Sequence, residues 1–410
     1  VVDPQSASSL WRKTLPVMVM DAQAMGPIAV IRSLGRAGYP VHACAESDGA
    51  LGLHSRFAKR SVVCPGYQSE AFLPWMREYV AHEKISAVVP TEGFLLGVHD
   101  QIEEFLPLLP LSHKPRVILE GLSKCDLFES FAGGALREQA SAHLPPFFLV
   151  RNEEEIPPES EWNRIGGGPF FIKVDASHSR TGLQGSEVRR VSTGQQGQEC
   201  VRNLLRSYRK VLVQGYVSGW GVGVFALLWD GKLLAQFMHK RLHEVPHTGG
   251  ASSLRESWWK TEVCDDALSK LTAIGWQGVA MMEYRLNPDT GEFFLLEMNA
   301  RFWGSLHLAL YAGVDFPRML LDAFHGRDPE PVLRSAQGVR CRHTFPREIQ
   351  YVWSCWKDKE LPLASRLGSI LEFFALGLDP RVYSDLCFPG DRKLYLLNLK
   401  PSISEIFARG

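Results

Sequence analysis

The chain has 410 residues, enough for two or three domains with ample apolar burial. Its 45 basic and 45 acidic residues cancel, which argues against a generic polyanion binder and so against nucleic acid as a partner. The 8 cysteines form neither a C-x-x-C pair nor a compact framework, and no apolar run reaches bilayer-spanning length. A cytoplasmic protein with reduced thiols and no membrane span is expected.

After an irregular stretch to about Thr14, VMVM, AMGP and IAVIRSLGRAGYPVHAC read as strand, glycine-containing turn, helix and strand. Further signals at RSVVCP, FLPWMREYVAHE and ISAVVPTE predict a doubly wound α/β N-terminal domain over residues 1–115. Glu92 follows the strand ending Val88-Val89, at the carboxyl edge where open α/β sheets expose ligand groups; a helix N-cap is the competing reading. A helical stretch near residues 123–143 leads through Leu144-Pro145-Pro146, an acidic segment and Gly166-Gly167-Gly168, which together predict a hinge. GPFFIKVD, the loop SHSRTGLQGS, a helix near 198–208 and VLVQGYV then predict a small α+β lid within residues 116–220. Residues 221–329 hold a hairpin at Trp229-Asp230-Gly231-Lys232, a basic strand end, a Ser/Gly loop, a helix near 265–274 and a last hairpin. Residues 330–410 carry no identifiable chemistry; Trp353, Trp356 and ILEFFALGL suit a core or a docking surface better than a membrane-surface helix.

The last hairpin, GVAMMEYRLNPDTGEFFLLEMNAR, is the most informative segment. Pairing Leu286 with Phe294 across its turn sets Glu283 opposite Glu297, where like charges repel unless a cation lies between them. Alternation puts Glu297, Asn299 and Arg301 on one face. Hard oxygen donors without Cys or His suit Mg²⁺, with Mn²⁺ as the alternative ion, and Mg²⁺ usually completes its shell with water and nucleotide phosphates. An ATP site is therefore expected; the bland account is a polar outer face.

Three further places suit a nucleotide. Lys173 ends the strand Phe170-Phe171-Ile172 and points toward the polar loop from Ser177 to Gly182, where charge and backbone N–H groups can hold phosphate; a snorkelling strand terminus is the alternative. Gln214-Gly215-Tyr216-Val217 could offer backbone groups to adenine, or be an ordinary turn. Lys240 and Arg241 end a strand and are expected to project together toward the phosphates, against the alternative of a solvated basic strand end. P-loop and protein-kinase signatures are absent.

In this order of elements the chain resembles the ATP-grasp superfamily, carboxylate-amine ligase type, from about Leu15 to Pro329. LLEMNAR with Glu283 is similar to the family's Mg²⁺ motif, and Lys124 in GLSKCDLF with Lys173 is similar to its lysine pair. The resemblance implies an ATP-grasp fold of class α/β and α+β, with an α/β N-terminal domain, a lid and a C-terminal catalytic module. It implies that Lys124 and Lys173, with Ser177 and Arg180 beside them, contact ATP, and that Gln214, Tyr216 and Val217 hold adenine. Glu283, Glu297 and Asn299 would bind Mg²⁺, Arg301 would touch phosphate or the carboxylate substrate, and Arg241 with Lys240 would stabilise an acyl phosphate. Glu92, Ser252 and Arg301 would select substrate. The sequence departs from the family's pattern at Gln214, often Glu, at Gly221, where a glutamate commonly holds ribose, and in a lid loop poor in glycine.

The implied function is an ATP-dependent ligase that joins a small carboxylate to an amine and releases ADP and phosphate. The alternatives are a bicarbonate-dependent carboxylase-type enzyme and a nucleotide-binding regulatory protein without turnover. A homodimer is the prior for assembly.

Overall fold

The computed structural model describes residues 10–180 and 185–399. Most of the expected irregular N-terminal stretch and residues 181–184 of the lid loop lie outside that range; Leu10–Thr14 is a short 3-10 turn.

Strands β1 (Val17–Val19), β2 (Val41–Ala45), β3 (Arg60–Val63) and β4 (Ala87–Val89) form a parallel sheet in the order β3-β2-β1-β4. Every residue of β1, β2 and β4 is buried, which is why these strands read as continuous apolar runs rather than alternating ones. Helix α1 (Met25–Ala37) packs Ile28, Val30, Ile31 and Leu34 inward and stops at Gly38, whose φ of +97° only glycine adopts without strain. Near its start, a Cβ on Gly26 would lie 2.9 Å from the Trp303 carbonyl oxygen. The missing side chain lets this helix approach the loop that follows Arg301.

The lid is an antiparallel sheet of β5 (Phe147–Val150), β6 (Phe170–Val174), β7 (Glu187–Val191) and β8 (Val211–Gly215), ordered β5-β8-β6-β7. Helix α2 (Lys124–Ala132) precedes it, and α3 (Gly194–Leu205), capped by the Thr193 side chain, covers it. The sequence predicted a hinge where β5 lies. Four apolar residues after Pro145-Pro146 instead extend along β8, and Phe148 meets the buried Trp162 edge to face at 4.9 Å.

Strands β9 (Trp220–Trp229), β10 (Lys232–Val245), β11 (Ala251–Ser257), β12 (Gly278–Leu286) and β13 (Phe293–Asn299) form the main sheet, with α4 (Thr261–Ala273) between β11 and β12. Two strands from beyond residue 329, β14 (Arg340–Arg342) and β15 (Val382–Ser384), complete the order β13-β12-β9-β10-β11-β14-β15. The C-terminal residues are thus part of this sheet, through elements too short to carry a period. Alternation divides the sheet between two cores: Val222, Val224, Met238 and Met282 pack with Val263 and Leu271 of α4, while Phe225, Phe237 and Met281 pack with Trp303 and α1. No helix among the described residues is long and apolar enough to cross a membrane.

Candidate active site

The two carboxylates face each other as expected, by a different route. Leu286 pairs with Phe293 rather than Phe294, and a register shift beyond Tyr284 then brings Glu283 opposite Glu297. The extra residue is Leu296, and its carbonyl accepts a hydrogen bond from Lys173 Nζ at 3.1 Å. A bulge here therefore turns a backbone oxygen toward a lysine of the lid, a common use of bulges beside functional groups.

Cations gather on these acids. Lys124 Nζ lies 3.9 Å from Glu297 Oε2 and 3.8 Å from Asp175 Oδ1, and Arg241 Nη2 lies 2.6 Å from Glu283 Oε1. Asn299 Nδ2 donates to Glu297 Oε1 at 3.3 Å. Burial alone would raise the Glu297 carboxyl, yet Lys124 and Lys173 hold it below its ordinary value. Burial works against the Lys124 ammonium too, and Glu297, Asp175 and Glu92 overcome it and raise its pKa. For Lys173 burial prevails, and its pKa is lowered. Arg241 is raised despite burial, by Glu283 and then Glu244.

Local structure sets these positions. Ser123 caps α2 and Lys124 is its first residue; Asp175, just past β6, accepts from Ser123 Oγ at 3.1 Å and from the Cys125 N–H at 2.9 Å. Asp175 so fastens the lid strand that carries Lys173 to the helix start that carries Lys124. Sequence reasoning passed over it, although FFIKVD ends on it. Glu244 was also missed: it accepts from Arg241 at 3.1 Å and from Arg285 at 2.9 Å. The space left by the absent side chain at Gly221 is filled, since a Cβ there would lie 2.7 Å from Arg241 Cδ and from Glu244 Oε1.

Several expected residues point elsewhere. Lys240 and Arg241 are successive on β10, so they take opposite faces; Lys240 pairs with Glu256 at 3.1 Å and lies over the Trp220 ring, away from Glu283. Arg180 Nε donates to the Leu205 and Tyr208 carbonyls at 3.0 and 3.2 Å, which turns its guanidinium back into the lid. Arg301 Nε lies 3.7 Å from Glu92 Oε2, whose other oxygen accepts from Ser186 of the lid. Ser252 is in register with Glu244 instead, so the three residues expected to select substrate do not share one set of contacts. Among the described residues, Ser177 Oγ and Gln214 Nε2 are buried without hydrogen-bond partners. Tyr216 is half exposed and stacks toward Phe171 with centroids 6.4 Å apart, and Val217 is half-buried beside it.

Among the described residues no three His, Cys, Asp or Glu side chains gather into a cage for a metal ion. Two carboxylates and an amide are a partial donor set of the kind Mg²⁺ completes with water and phosphate oxygens, and here Arg241 and Lys124 offset the charge of the two acids.

Residues 207–344, about a third of the chain, match the family described as ATP-grasp in the biosynthetic pathway with Ter operon. No curated protein matches the sequence. Among solved structures, the chain is similar to N5-carboxyaminoimidazole synthetase from Staphylococcus aureus, with 13% identity and a TM-score of 0.58 over 78% of this chain and 79% of that one. It is also similar to L-amino acid ligase from Bacillus licheniformis, with 17% identity and a TM-score of 0.56 over 76% and 74%. Biotin carboxylase from Campylobacter jejuni, in its beta-gamma-ATP complex, gives 14% identity and a TM-score of 0.60 over 79% and 74%. The chain has the ATP-grasp fold.

Proposed function

We propose that this ATP-grasp chain is an ADP-forming ligase that joins a small-molecule carboxylate to an amine through an acyl phosphate. The observation that carries the reading is the convergence of Lys124, Lys173 and Arg241 on the facing pair Glu283 and Glu297. Lys124 and Lys173 would bind the triphosphate from the lid side, and the unpartnered Gln214 Nε2 would meet the edge of adenine, with Tyr216 and Val217 beside it. Glu283, Glu297 and Asn299 would hold Mg²⁺, which when bound neutralises charge on the phosphates.

A substrate carboxylate oxygen attacks the γ-phosphorus, the bond to the ADP oxygen breaks, and ADP departs. The amine nitrogen then attacks the acyl carbon, the carbon–oxygen bond to phosphate breaks, and the nitrogen loses a proton. Arg241 faces the charge that builds in the first step, and its side chain is only 8% exposed, where a fixed cation acts strongly. The contact of Glu92 with both Arg301 and Ser186 joins the N-terminal domain, the catalytic module and the lid, so lid closure would exclude the water that hydrolyses an acyl phosphate.

ADP release measured with a panel of acids and amines tests the reading. Turnover that needs both an organic acid and an amine is expected. Dependence on bicarbonate would replace the reading with carboxylase-type chemistry, and nucleotide binding without ADP release would replace it with a regulatory role.

A further inference from the structure

A cavity of about 520 Å³ lies between the end of the main sheet and the C-terminal helices α5 (Ile349–Lys357) and α6 (Leu363–Leu378). Its size suits a small metabolite. The sheet side is formed by Gly221, Arg241, Glu244 and Arg285, and the helix side by Tyr351 and Glu372. Helix α6 turns its small residues Ser365, Gly368 and Ser369 toward the cavity, so the segment to which the sequence assigned no chemistry forms the cavity wall.

The two ends differ in charge. At the sheet end, Arg241 and Arg285 share Glu244, while the second carboxylate on Arg241 is Glu283 of the facing pair. Arg241 is buried, and among the described residues its Nε has no hydrogen-bond partner. Two guanidiniums and two carboxylates therefore meet at this end, and the Arg241 Nε is a donor left unused beside the Glu283–Glu297 pair. At the helix end Glu372 is half exposed, with His243 Nε2 3.4 Å away. The Tyr351 ring, stacked on His243 with centroids 3.9 Å apart, makes a stiff apolar wall between the ends.

We propose that this cavity binds the acid substrate of the ligase and that the acid also carries an amino group. The substrate is a zwitterion whose carboxylate lies at Arg241 and Arg285 and whose ammonium faces Glu372. This inference rests on the proposed ligase reading. The reacting carboxylate then lies beside Glu283, and the distal amine selects the substrate through the C-terminal segment.

The test uses the full chain and acid-dependent ADP release, comparing α-amino acids and the series from β-alanine to 6-aminohexanoate with deaminated carboxylates of equal length. Glu372→Gln should raise KM for the preferred amino acid at least tenfold and leave KM for ATP and for the deaminated acid unchanged. Gly368→Leu should raise KM for both acids and leave ATP unchanged; a Cβ at Gly368 has no neighbour within 4 Å, and an unchanged melting temperature checks that the fold is kept. Unchanged acid KM in both variants, or a rise confined to ATP, would overturn the proposal, the second by assigning the cavity to the nucleotide. If no acid elicits ADP release from the wild-type chain, the ligase reading fails by itself. Binding of the same amino acids followed by NMR then decides the cavity: loss in Gly368→Leu upholds it, and no binding to the wild-type chain overturns it.

Discussion

Glu297→Gln separates a ligand role from a structural one, because it removes a charge with almost no change in shape. In the folded chain Glu297 faces Lys124 at 3.9 Å, Glu283 across the hairpin and Lys173 nearby. One unit charge at 3.9 Å from another is worth about 4 kcal/mol at an effective dielectric near 20. Loss of that attraction is offset by relief of the repulsion from Glu283 and of the cost of burying an anion, so net stability should change by no more than about 2 kcal/mol. Turnover has no such compensation. An effect of about 4 kcal/mol in the transition state corresponds to roughly a thousandfold loss of kcat, with the melting temperature shifted by only a few degrees. Coupled ADP release and thermal unfolding on the same preparations measure both. Near-normal kcat in Glu297→Gln would refute the reasoning; a collapsed melting temperature would recast Glu297 as a structural anchor.

Arg241 and Lys240 should behave oppositely: Arg241→Lys should lose about 10²-fold or more in kcat through loss of a fixed donor, while Lys240→Ala, on the far face, should stay within about threefold in the ADP-release assay. Gly221→Ala puts a methyl 2.7 Å from Arg241 Cδ and Glu244 Oε1, and should lower stability by about 1–3 kcal/mol in urea unfolding and reduce kcat about tenfold. Burial, and then Arg32, push the His307 imidazole down to about 3. The unfolded chain protonates this group near pH 6.5, so its contribution is whole above that value and is lost as pH falls toward 3, about 2 kcal/mol by pH 5. Urea unfolding at pH 7.5 and 5 should show this loss, and His307→Gln should flatten it.

Residues on regular strands were legible, since alternation along LLEMNAR placed Glu297 and Asn299 on one face; Lys173 was expected to point toward the loop from Ser177, and its Nζ instead donates to the Leu296 carbonyl. The same alternation separates Lys240 from Arg241, a consequence that grouping them as a basic strand end hid. The bulge at Leu296 left no mark in the pattern, because an error of one residue at the turn cancelled against it. Glu244 was hidden by the register shifts between Arg241 and Glu244, which defeat any count along the strand. The C-terminal strands hold three residues each, too few for a period. Their place is set by buried charge instead: Asp385 follows β15, binds Arg255 of β11 and accepts from Cys341 Sγ at 3.2 Å.

Crystals of the full chain grown with MgCl2 and a non-hydrolysable ATP analogue test the central claim most directly. The account predicts an ion about 2.1 Å from oxygens of Glu283 and Glu297 with phosphate oxygens completing its shell, and Arg241 withdrawn from Glu283. A nucleotide bound with no ion between these carboxylates, or with the Arg241–Glu283 pair still closed at 2.6 Å, would contradict it.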